Sequence, residues 1–348
     1  FLLKINTDGT LQWDQLFGMG NNHESFKSVE ETNDGGYILC GVKNDPVTDW
    51  DVWLVKTDGN GNQQWDQNID LNNTHDGGRS VQQTNDGGYI ITGYSNSNIW
   101  LIKTDGNGNQ LWNQILDSTT TNEHYGGYSV EQTSDGGYII TGISGPGYTC
   151  LIKTDGSGNQ QWNQTFGNIS EEPGRSVQQT NDGGYILTGE TENQDIWLIK
   201  TDGNGNQQWD QTFGGIDTDL GNSVQQTSDG GYIITGMMFD DSLFCLIKTD
   251  GSGNQEWNKN YGCCEGFSVQ QTNDGGYILS GEKNNYIHVI KTDGNGNVTS
   301  TIEIPLPDPN RKLEKVVDML GRETKPQPNT PFIEIYEDGS TEKKTVVE

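Results

Sequence analysis

The stretch Ser80-Val81-Gln82-Gln83-Thr84-Asn85-Asp86-Gly87-Gly88-Tyr89-Ile90 decides the fold, because close copies of it recur along the chain. Its aspartate recurs six times, as Asp34, Asp86, Asp135, Asp182, Asp229 and Asp274, at intervals of 52, 49, 47, 47 and 45 residues. A second motif alternates with it: two apolar residues followed by Lys-Thr-Asp-Gly-x-Gly-Asn-x-x-Trp. A period of this length predicts an array of similar units, each packed against its neighbours.

Each repeat predicts four short strands. In the second repeat these are strand A (Ser80 to Thr84), strand B (Tyr89 to Gly93), strand C (Ile99 to Lys103) and strand D around Trp112. The Asp-Gly-Gly and Gly-Asn-Gly-Asn segments between them favour tight hairpins, because glycine adopts positive φ angles readily. Strand C is apolar without alternation, which predicts a strand covered on both faces. We therefore predict an all-β chain, a β-propeller of four-stranded antiparallel blades.

The repeats predict six complete blades and an N-terminal half-blade, residues 1–17, that holds only strands C and D. The chain begins inside a repeat and without Met, so we expect seven blades in the intact protein, with six closed blades or eight blades as the alternatives. The predicted domains are the propeller (1–304), a Pro-rich linker (305–310) and a small C-terminal β module (311–348).

Composition excludes several classes of protein. The 348 residues include 48 glycines, and only 30% are apolar, which suits stacked repeats better than one large core. The net charge of −29 argues against nucleic-acid partners and anionic lipid. No stretch approaches the roughly 20 apolar residues that would cross a bilayer, so we predict no membrane insertion.

The repeat resembles a bacterial β-propeller repeat family whose pattern is Asp-x-x-x-x-Lys-x-Asp-x-x-Gly-x-x-x-Trp followed by Phe-Gly-Gly. Asp195 through Trp209, with Phe213-Gly214-Gly215, carry this resemblance, which extends over residues 1–304. The resemblance implies the propeller fold and says almost nothing about activity, because propellers host unrelated functions.

Two repeated columns are predicted to be structural. One is the lysine of strand C, which we expect to contact the aspartate two residues later. The other is a tryptophan in strand D that resembles the inter-blade tryptophan docking of quinoproteins and differs in spacing from the Asp-box of sialidases. Its members are Trp13, Trp65, Trp112, Trp162, Trp209 and Trp257, with Ser300 in the seventh place.

The loops that vary between repeats, B–C and D–A, are predicted to share one face of the propeller and to carry function. Six residues before the strand-A valine stand His23, His75, His124 and Glu171, and the next column contains Asp76 and Glu172. One hypothesis is a transition-metal site, with His23, His75 and His124 as ligands for zinc. A second is a ligand pocket lined by all six residues, and a third is an ordinary polar loop position copied by duplication.

No cofactor is predicted. Zinc is the hypothesis above, and calcium is the weaker one for Asp-Gly-Asn-Gly-Asn, which lacks the bidentate Glu of a calcium loop. The sequence contains no phosphate loop, nucleophile elbow or His-Glu-x-x-His motif, so no catalytic residue is predicted.

The C-terminal segment resembles the sorting domain of the type IX secretion system of Bacteroidetes-type bacteria. Val-Asp-Met-Leu-Gly-Arg-Glu and the later Ile-Tyr-Glu-Asp-Gly-x-x-x-Lys-Lys carry the resemblance, which assigns Asp318, Leu320, Gly321, Arg322, Tyr336, Asp338, Gly339 and Lys343 to the signal. It implies the type IX machinery as partner and a location that is secreted or on the outer-membrane surface of a Gram-negative bacterium. The alternative is a small β appendage without a sorting role.

Together these features predict a secreted or cell-surface propeller that acts as a binding or adhesion module. The predicted partners are an extracellular glycan, a protein or matrix. An extracellular enzyme, a polysaccharide lyase or hydrolase, is the alternative, because a variable face on a rigid scaffold also suits an active site. A passive spacer is the third.

Overall fold

The computed structural model describes residues 1–7, 10–18, 24–45, 49–71, 74–117, 125–145, 147–167, 173–238, 243–263, 265–283, 286–305, 313–318, 320–327, 331–336 and 341–345. Contacts divide the chain into two units, Phe1–Asn284 with His288–Glu303 and Asn285–Ile287 with Ile304–Glu348. Within the described residues, no helix has the length and apolar character needed to span a membrane.

Six four-stranded antiparallel sheets form the blades, and in each sheet the strands pair in chain order. Blade one contains β3 (Glu24–Glu31), β4 (Tyr37–Asp45), β5 (Asp49–Thr57) and β6 (Gln63–Ile69); blade two contains β7 (Asp76–Gln83), β8 (Tyr89–Ser95), β9 (Asn98–Thr104) and β10 (Gln110–Asp117); blade three contains β11 (Gly126–Gln132), β12 (Tyr138–Ser144), β13 (Tyr148–Thr154) and β14 (Gln160–Phe166).

Blade four contains β15 (Gly174–Gln179), β16 (Tyr185–Glu190), β17 (Ile196–Thr201) and β18 (Gln207–Phe213); blade five contains β19 (Asp219–Gln226), β20 (Tyr232–Met238), β21 (Leu243–Thr249) and β22 (Gln255–Cys263); blade six contains β23 (Glu265–Gln271), β24 (Tyr277–Lys283), β25 (Tyr286–Thr292) and β26 (Val298–Pro305). The half-blade is the pair β1 (Leu2–Ile5) and β2 (Leu11–Gln15). The predicted fold, six complete blades and an N-terminal half-blade, is confirmed.

The Asp-Gly-Gly segment closes each A–B hairpin. In blade two, Asp86 Oδ1 accepts hydrogen bonds from Thr84 Oγ1 (2.6 Å) and from the backbone N–H of Gly88 (3.0 Å). Gly87 has a φ of +82°, where a side chain would strain the backbone. The repeated Thr-x-Asp-Gly-Gly therefore forms a turn in which the aspartate carboxylate accepts hydrogen bonds from the threonine hydroxyl and from a backbone N–H of the same turn.

Consecutive blades pack face to face through apolar side chains. Ile90 and Ile91 of β8 are both fully buried, Ile91 in the core shared with blade one and Ile90 in the core shared with blade three. Strand C, which was predicted to be covered on both faces, shows the same arrangement, because Ile102 of β9 lies in the core shared with blade one and Leu101 lies in the core shared with blade three. The tryptophan of one blade meets the strand-B tyrosine of the next, with ring centroids 5.9 Å apart for Trp65 and Tyr89.

The lysine column contacts a different aspartate from the one predicted. Lys103 Nζ donates to Asp86 Oδ1 (3.0 Å), in the A–B turn of the same blade, and to the carbonyl oxygen of Thr104 (2.8 Å). Asp105, two residues later, instead accepts the backbone N–H groups of Asn107 (2.8 Å) and Asn109 (2.9 Å) in its own hairpin. Each complete blade repeats the bond between the strand-C lysine and the A–B turn, which ties both hairpins together.

We call the interface between two consecutive complete blades a seam. Three hydrogen bonds connect the two blades at each of the five seams. At the seam of blades two and three, Val130 N–H donates to Ser80 Oγ (3.3 Å), and Gln132 N–H donates to Gln82 Oε1. In the opposite direction, Asn85 N–H donates to Gln132 Oε1 (2.9 Å). The same three bonds occur at the other four seams.

The second unit contains one three-stranded antiparallel sheet of β27 (Leu313–Asp318), β28 (Pro331–Tyr336) and β29 (Thr341–Thr345). Asp318 begins a tight turn after β27, where its Oδ1 accepts the N–H groups of Leu320 (2.9 Å) and Arg322 (3.0 Å). Arg322 clamps the other oxygen of Asp318, with Nη2 at 2.6 Å, and Gly321 takes a φ of +79°. Leu320 is left exposed at the tip of this turn.

Candidate functional site

Every complete blade has a β-bulge at one position of strand A. The pairing register with strand B skips a residue two places before the strand-A valine, for example Arg79 between Gly78 and Ser80. The skipped residues, which we call the mouth residues, are Lys27, Arg79, Tyr128, Arg175, Asn222 and Phe267. Bulges reorient a side chain and are common beside functional sites.

Close backbone contact creates the bulge. In blade two, Gly78 pairs with Gly93, and a Cβ on Gly93 would lie 1.9 Å from the carbonyl oxygen of Gly77. Strand A runs from the variable D–A loop towards the A–B turn, so the mouth residues lie at the end of the strand near the variable loops. The bulge thus places one variable side chain per blade at that end.

Arg79 is the centre of the site. Its guanidinium carbon lies 3.9 Å from the ring centroid of Tyr128 in the next blade and 5.0 Å from that of Tyr94. Its Nη1 is buried and has no hydrogen-bond partner among the described residues. Burial lowers the pKa of Arg79, and the positive charge of Arg175, two blades away, acts in the same direction. A cation held in this way has an unused donor for an anionic group.

The remaining mouth residues hold different contacts. Arg175 donates from Nε (2.9 Å) and Nη2 (2.6 Å) to Glu190 Oε1, and Asn222 Nδ2 donates to the carbonyl oxygen of Gly266 (2.8 Å). Lys27 and Phe267 are exposed. Both arginines of residues 1–304 therefore lie in this column, in a chain with 49 acidic and 20 basic residues.

Among the six predicted ligand-binding residues, the structure describes His75 and Asp76. His75 is exposed, with its ring centroid 6.2 Å from that of Trp50 and 5.6 Å from that of Tyr94. Ring contacts therefore connect one continuous row of side chains across blades one, two and three, which consists of Trp50, His75, Tyr94, Arg79 and Tyr128. Of these five residues the sequence predicted only His75, and the other four were not predicted.

Asp76 differs from its neighbour because it is fully buried. Its Oδ2 accepts the N–H of Leu71 (2.7 Å) and its Oδ1 accepts the hydroxyl of Thr74 (2.8 Å), so it holds its own loop together. The other four predicted residues, His23, His124, Glu171 and Glu172, lie outside the described residues. The ligand-binding role of this column therefore stays a prediction, and the structure describes only one of its four positions, His75.

The strand-A segments of all six blades surround a cavity of about 600 Å³ on the propeller axis. Valines and a column of Glu and Gln side chains line it, and in blade three this column holds Glu131, whose Oε2 accepts the N–H of Gln179. Burial raises the pKa of Glu131 to about 7, against that hydrogen bond, and the charge of Glu30 adds to the rise. The Glu131 carboxyl group therefore accepts a hydrogen bond across the seam between blades three and four, and its pKa lies near neutral pH.

No group of three His, Cys, Asp or Glu side chains within the described segments is placed to hold a metal ion. The Asp-Gly-Asn-Gly-Asn carboxylates accept hydrogen bonds from their own turns, as Asp105 does from the Asn109 side chain (2.9 Å). The interpretation of this motif as a hairpin turn is confirmed, and calcium there stays a weaker hypothesis.

The predicted sorting residues fall in three places. Asp318, Leu320, Gly321 and Arg322 form the turn after β27. Tyr336 ends β28 and Lys343 lies in β29. Asp338 and Gly339 lie outside the described residues, between two strands that pair antiparallel.

The chain is similar in fold to several solved structures. A protein of unknown function from Bacteroides caccae has a TM-score of 0.51 and 12% identity, covering 73% of this chain and 89% of that one. The Dos1 propeller has a TM-score of 0.54 and 15% identity, covering 87% and 73%. The BP39L lectin from Burkholderia pseudomallei has a TM-score of 0.57 and 8% identity, covering 79% and 83%. No protein-family model and no curated protein matches the sequence. At such identities the likeness shows one thing about this chain, that it has the β-propeller fold.

Proposed function

We propose that this protein is a secreted or cell-surface binding module, and that the mouth residues with Trp50 and His75 bind an acidic glycan. The observation that carries the proposal is Arg79, which is stacked on Tyr128 with a buried Nη1 that no described residue engages. Guanidinium groups recognise carboxylate and sulfate oxygens through paired N–H donors.

The aromatic residues in the row favour a sugar over a bare anion. Trp50, His75, Tyr94 and Tyr128 present ring systems beside Arg79, and aromatic side chains combine a large apolar surface with a polar edge. A uronic acid or sulfated sugar offers an apolar ring face to such residues and an anion to the arginines. The excess of acidic residues elsewhere would repel the same ligand and confine it to this end of the propeller.

The test is binding of the full chain to polygalacturonate, alginate and a sulfated galactan, with neutral dextran as the reference, by isothermal titration calorimetry. We expect saturable binding to at least one acidic polymer, weakened by NaCl because charged contacts are screened. Arg79→Met should reduce the affinity at least about tenfold, because it removes the charge-assisted hydrogen bonds while keeping much of the side-chain volume.

Lys259→Met is the matched control. It removes one positive charge from strand D of blade five, where Lys259 contacts only the Asn297 side chain (3.5 Å) among the bonds described, so the affinity should not change. Absence of binding to every acidic polymer, or equal affinities of the parent and Arg79→Met proteins, would refute the proposed site.

We further propose export by type IX secretion, with attachment or release at the cell surface. The turn from Asp318 to Arg322 supports this, because it fixes three of the residues that the resemblance assigns to the signal and leaves Leu320 exposed. In a type IX-competent bacterium, the full chain with a signal peptide should reach the medium or the surface. Deletion of residues 311–348 should retain it in the periplasm, and equal export of both proteins would contradict the proposal.

A further inference from the structure

A cleft of about 590 Å³ lies at the seam between blades three and four, at the end of the propeller that carries the A–B turns. One part of its lining is aromatic: the half-buried Trp162 of blade three meets the buried Tyr185 of blade four, with ring centroids 5.9 Å apart and planes tilted by 59°. Another part is polar and exposed, because Ser134, Asp135 and Asn204 belong to turns. The cleft therefore combines a ring surface with hydrogen-bonding groups that solvent reaches.

Two amide side chains that line the cleft are held in place by hydrogen bonds. Gln179 Oε1 accepts the N–H of Ser134 (2.8 Å) across the seam, and Gln161 Oε1 accepts from Lys153 Nζ (3.4 Å). Among the bonds described, neither amide uses its Nε2, so each retains two N–H donors. Asp135 adds an acceptor, since 58% of its side chain is exposed while its Oδ2 lies 2.9 Å from Lys153 Nζ.

The same arrangement recurs at the other four seams. The paired tryptophan and tyrosine have ring centroids 5.8–6.0 Å apart at all five seams, and the glutamine equivalent to Gln179 accepts the same N–H at 2.8–2.9 Å. The A–B aspartate pairs with the strand-C lysine at each of them. Only the position of Gln161 varies among these groups. From the first seam to the fifth it holds Gln64, Leu111, Gln161, Gln208 and Glu256.

The groups in each cleft match the chemistry of a neutral sugar. A pyranose ring offers an apolar C–H face to an aromatic side chain, and its hydroxyl groups both donate and accept hydrogen bonds. The A–B carboxylate can accept from such hydroxyls, and the amide Nε2 groups can donate to them. An acidic sugar or a phosphate fits less well, because every cleft contains an aspartate and the chain carries a net charge of −29.

We propose that the five seams form a series of binding sites for neutral hexopyranose units, each built from the strand-D tryptophan, the strand-A glutamine and the A–B aspartate. A polysaccharide that reaches two clefts binds more tightly than a single unit does, because the second contact is intramolecular. These clefts lie at the A–B turn, at the opposite end of strand A from the mouth residues. The inference therefore does not depend on the acidic-glycan site proposed above.

The first test follows the indole N–H signals of the full chain by NMR during titration with laminarihexaose, cellohexaose or mannohexaose. Each is added up to about 10 mM, so that dissociation constants near about 1 mM are measurable. At least one of these neutral sugars should shift the signals of Trp65, Trp162 and Trp209 saturably. The fully buried Trp100 should not shift, and trigalacturonate should leave the seam tryptophans unchanged. Absence of a saturable shift with all three neutral sugars would overturn the proposal.

A crossed pair of variants assigns the sugar to individual seams. Gln179→Glu keeps the acceptor for Ser134 N–H, removes the Nε2 donors and adds a negative charge to the cleft. It should weaken binding reported by Trp162 at least about tenfold and leave binding reported by Trp209 unchanged, because only one cleft is altered. Gln226→Glu, at the next seam, should have the reverse effect. Equal affinities at both tryptophans in the parent and both variants would refute the assignment.

The natural difference at the second seam allows a test by gain of binding. Leu111 is 59% exposed, so Leu111→Gln should keep the parent's melting temperature and raise the affinity reported by Trp112 about threefold, by one added amide. Gln161→Leu should lower the affinity reported by Trp162 by a similar factor. Arg79→Met should change neither value, which separates these clefts from the acidic-glycan site. Affinities that stay equal in the Leu111→Gln, Gln161→Leu and parent proteins would contradict a role for this position.

Discussion

The strand-C lysine is buried, and its charge is balanced by one aspartate of the A–B turn. In blade three the Lys153 side chain is 4% exposed and its Nζ lies 2.9 Å from Asp135 Oδ2. Burial opposes ionisation of Asp135, but hydrogen bonds from Thr133, Lys153 and Gly137 outweigh it and lower its pKa to about 2. The carboxylate therefore stabilises the fold above its ordinary pKa, and that stability is lost as the pH falls towards 2.

Replacement of this carboxylate should reveal its contribution. Asp135→Asn leaves a buried ammonium without its counter-ion, so we expect a loss of about 2 kcal/mol in the free energy of unfolding at pH 7, after allowance for the half-exposed carboxylate. Urea denaturation measures it. Asp274→Asn is the matched control: its partner Lys291 is 26% exposed, so solvent can reach the ammonium group, and the loss should be clearly smaller. Equal losses in the two variants would contradict this account.

Glu131 predicts a pH dependence of the opposite sign. Its pKa of about 7 in the folded chain exceeds the ordinary 4.5, so between these values the folded chain retains a proton that the unfolded chain has released. Stability from this group therefore falls as the pH rises from 4.5 to 7. Glu131→Gln keeps the acceptor for Gln179 N–H and should raise the stability at pH 8 by on the order of 2 kcal/mol, with a smaller gain at pH 5.

The reverse change in the next blade is the control for Glu131. Gln178 occupies the same column and accepts the N–H of Gln226 (2.6 Å). Gln178→Glu should destabilise the protein at pH 8 more than at pH 5, measured by thermal unfolding at both values. A pH-independent change in either variant would rule out titration as the cause.

At the level of elements, the two hairpins of a blade use glycine for different reasons. Gly108 and Gly87 have φ angles of +79° and +82°. A Cβ on Gly108 would lie 2.7 Å from Trp65 of the preceding blade, whereas a Cβ on Gly87 would meet nothing within 4 Å. The C–D turn is therefore part of a seam, and the A–B turn is free on that side.

This difference predicts unequal costs for the same substitution. Gly87→Ala should cost about 1 kcal/mol of unfolding free energy through backbone strain alone. Gly108→Ala should cost about 1–3 kcal/mol more, because the Trp65 indole must move. Chemical denaturation of both variants measures the difference. Similar values would show that Trp65 relaxes without cost.

The elements themselves were accessible from sequence, and some of their partners were not. The apolar runs and Asp-Gly turns predicted the strands because each is a local signal. The lysine's partner was wrong because a hairpin turn seventeen residues earlier reaches the amine, which same-face spacing along one strand does not reveal. The mouth residues were missed because the bulge depends on the pairing of strand A with strand B, where a strand-B glycine faces strand A in every complete blade. A signal was nevertheless present, one variable residue inside Gly-x-Ser-Val in five blades and inside Phe-x-Ser-Val in blade one.

For the whole molecule, the net charge of −29 predicts a response to salt. Repulsion among acidic residues destabilises the compact state, and added ions screen it over about 8 Å at physiological strength. The melting temperature should rise by a few degrees between about 10 mM and about 150 mM NaCl. CaCl2 at equal ionic strength should give the same rise if screening is the cause, and a larger rise would instead indicate specific binding of calcium.

The seams also determine how such a chain can acquire its structure. Every strand-A hydrogen bond between consecutive blades joins residues 43–53 positions apart, and none of those described requires the two ends of the propeller to meet. Low contact order favours rapid local folding. A polypeptide that emerges from a narrow pore can therefore fold one blade at a time, each new blade using the previous one as a template. Vectorial folding of this kind keeps the length of unprotected chain near one repeat throughout.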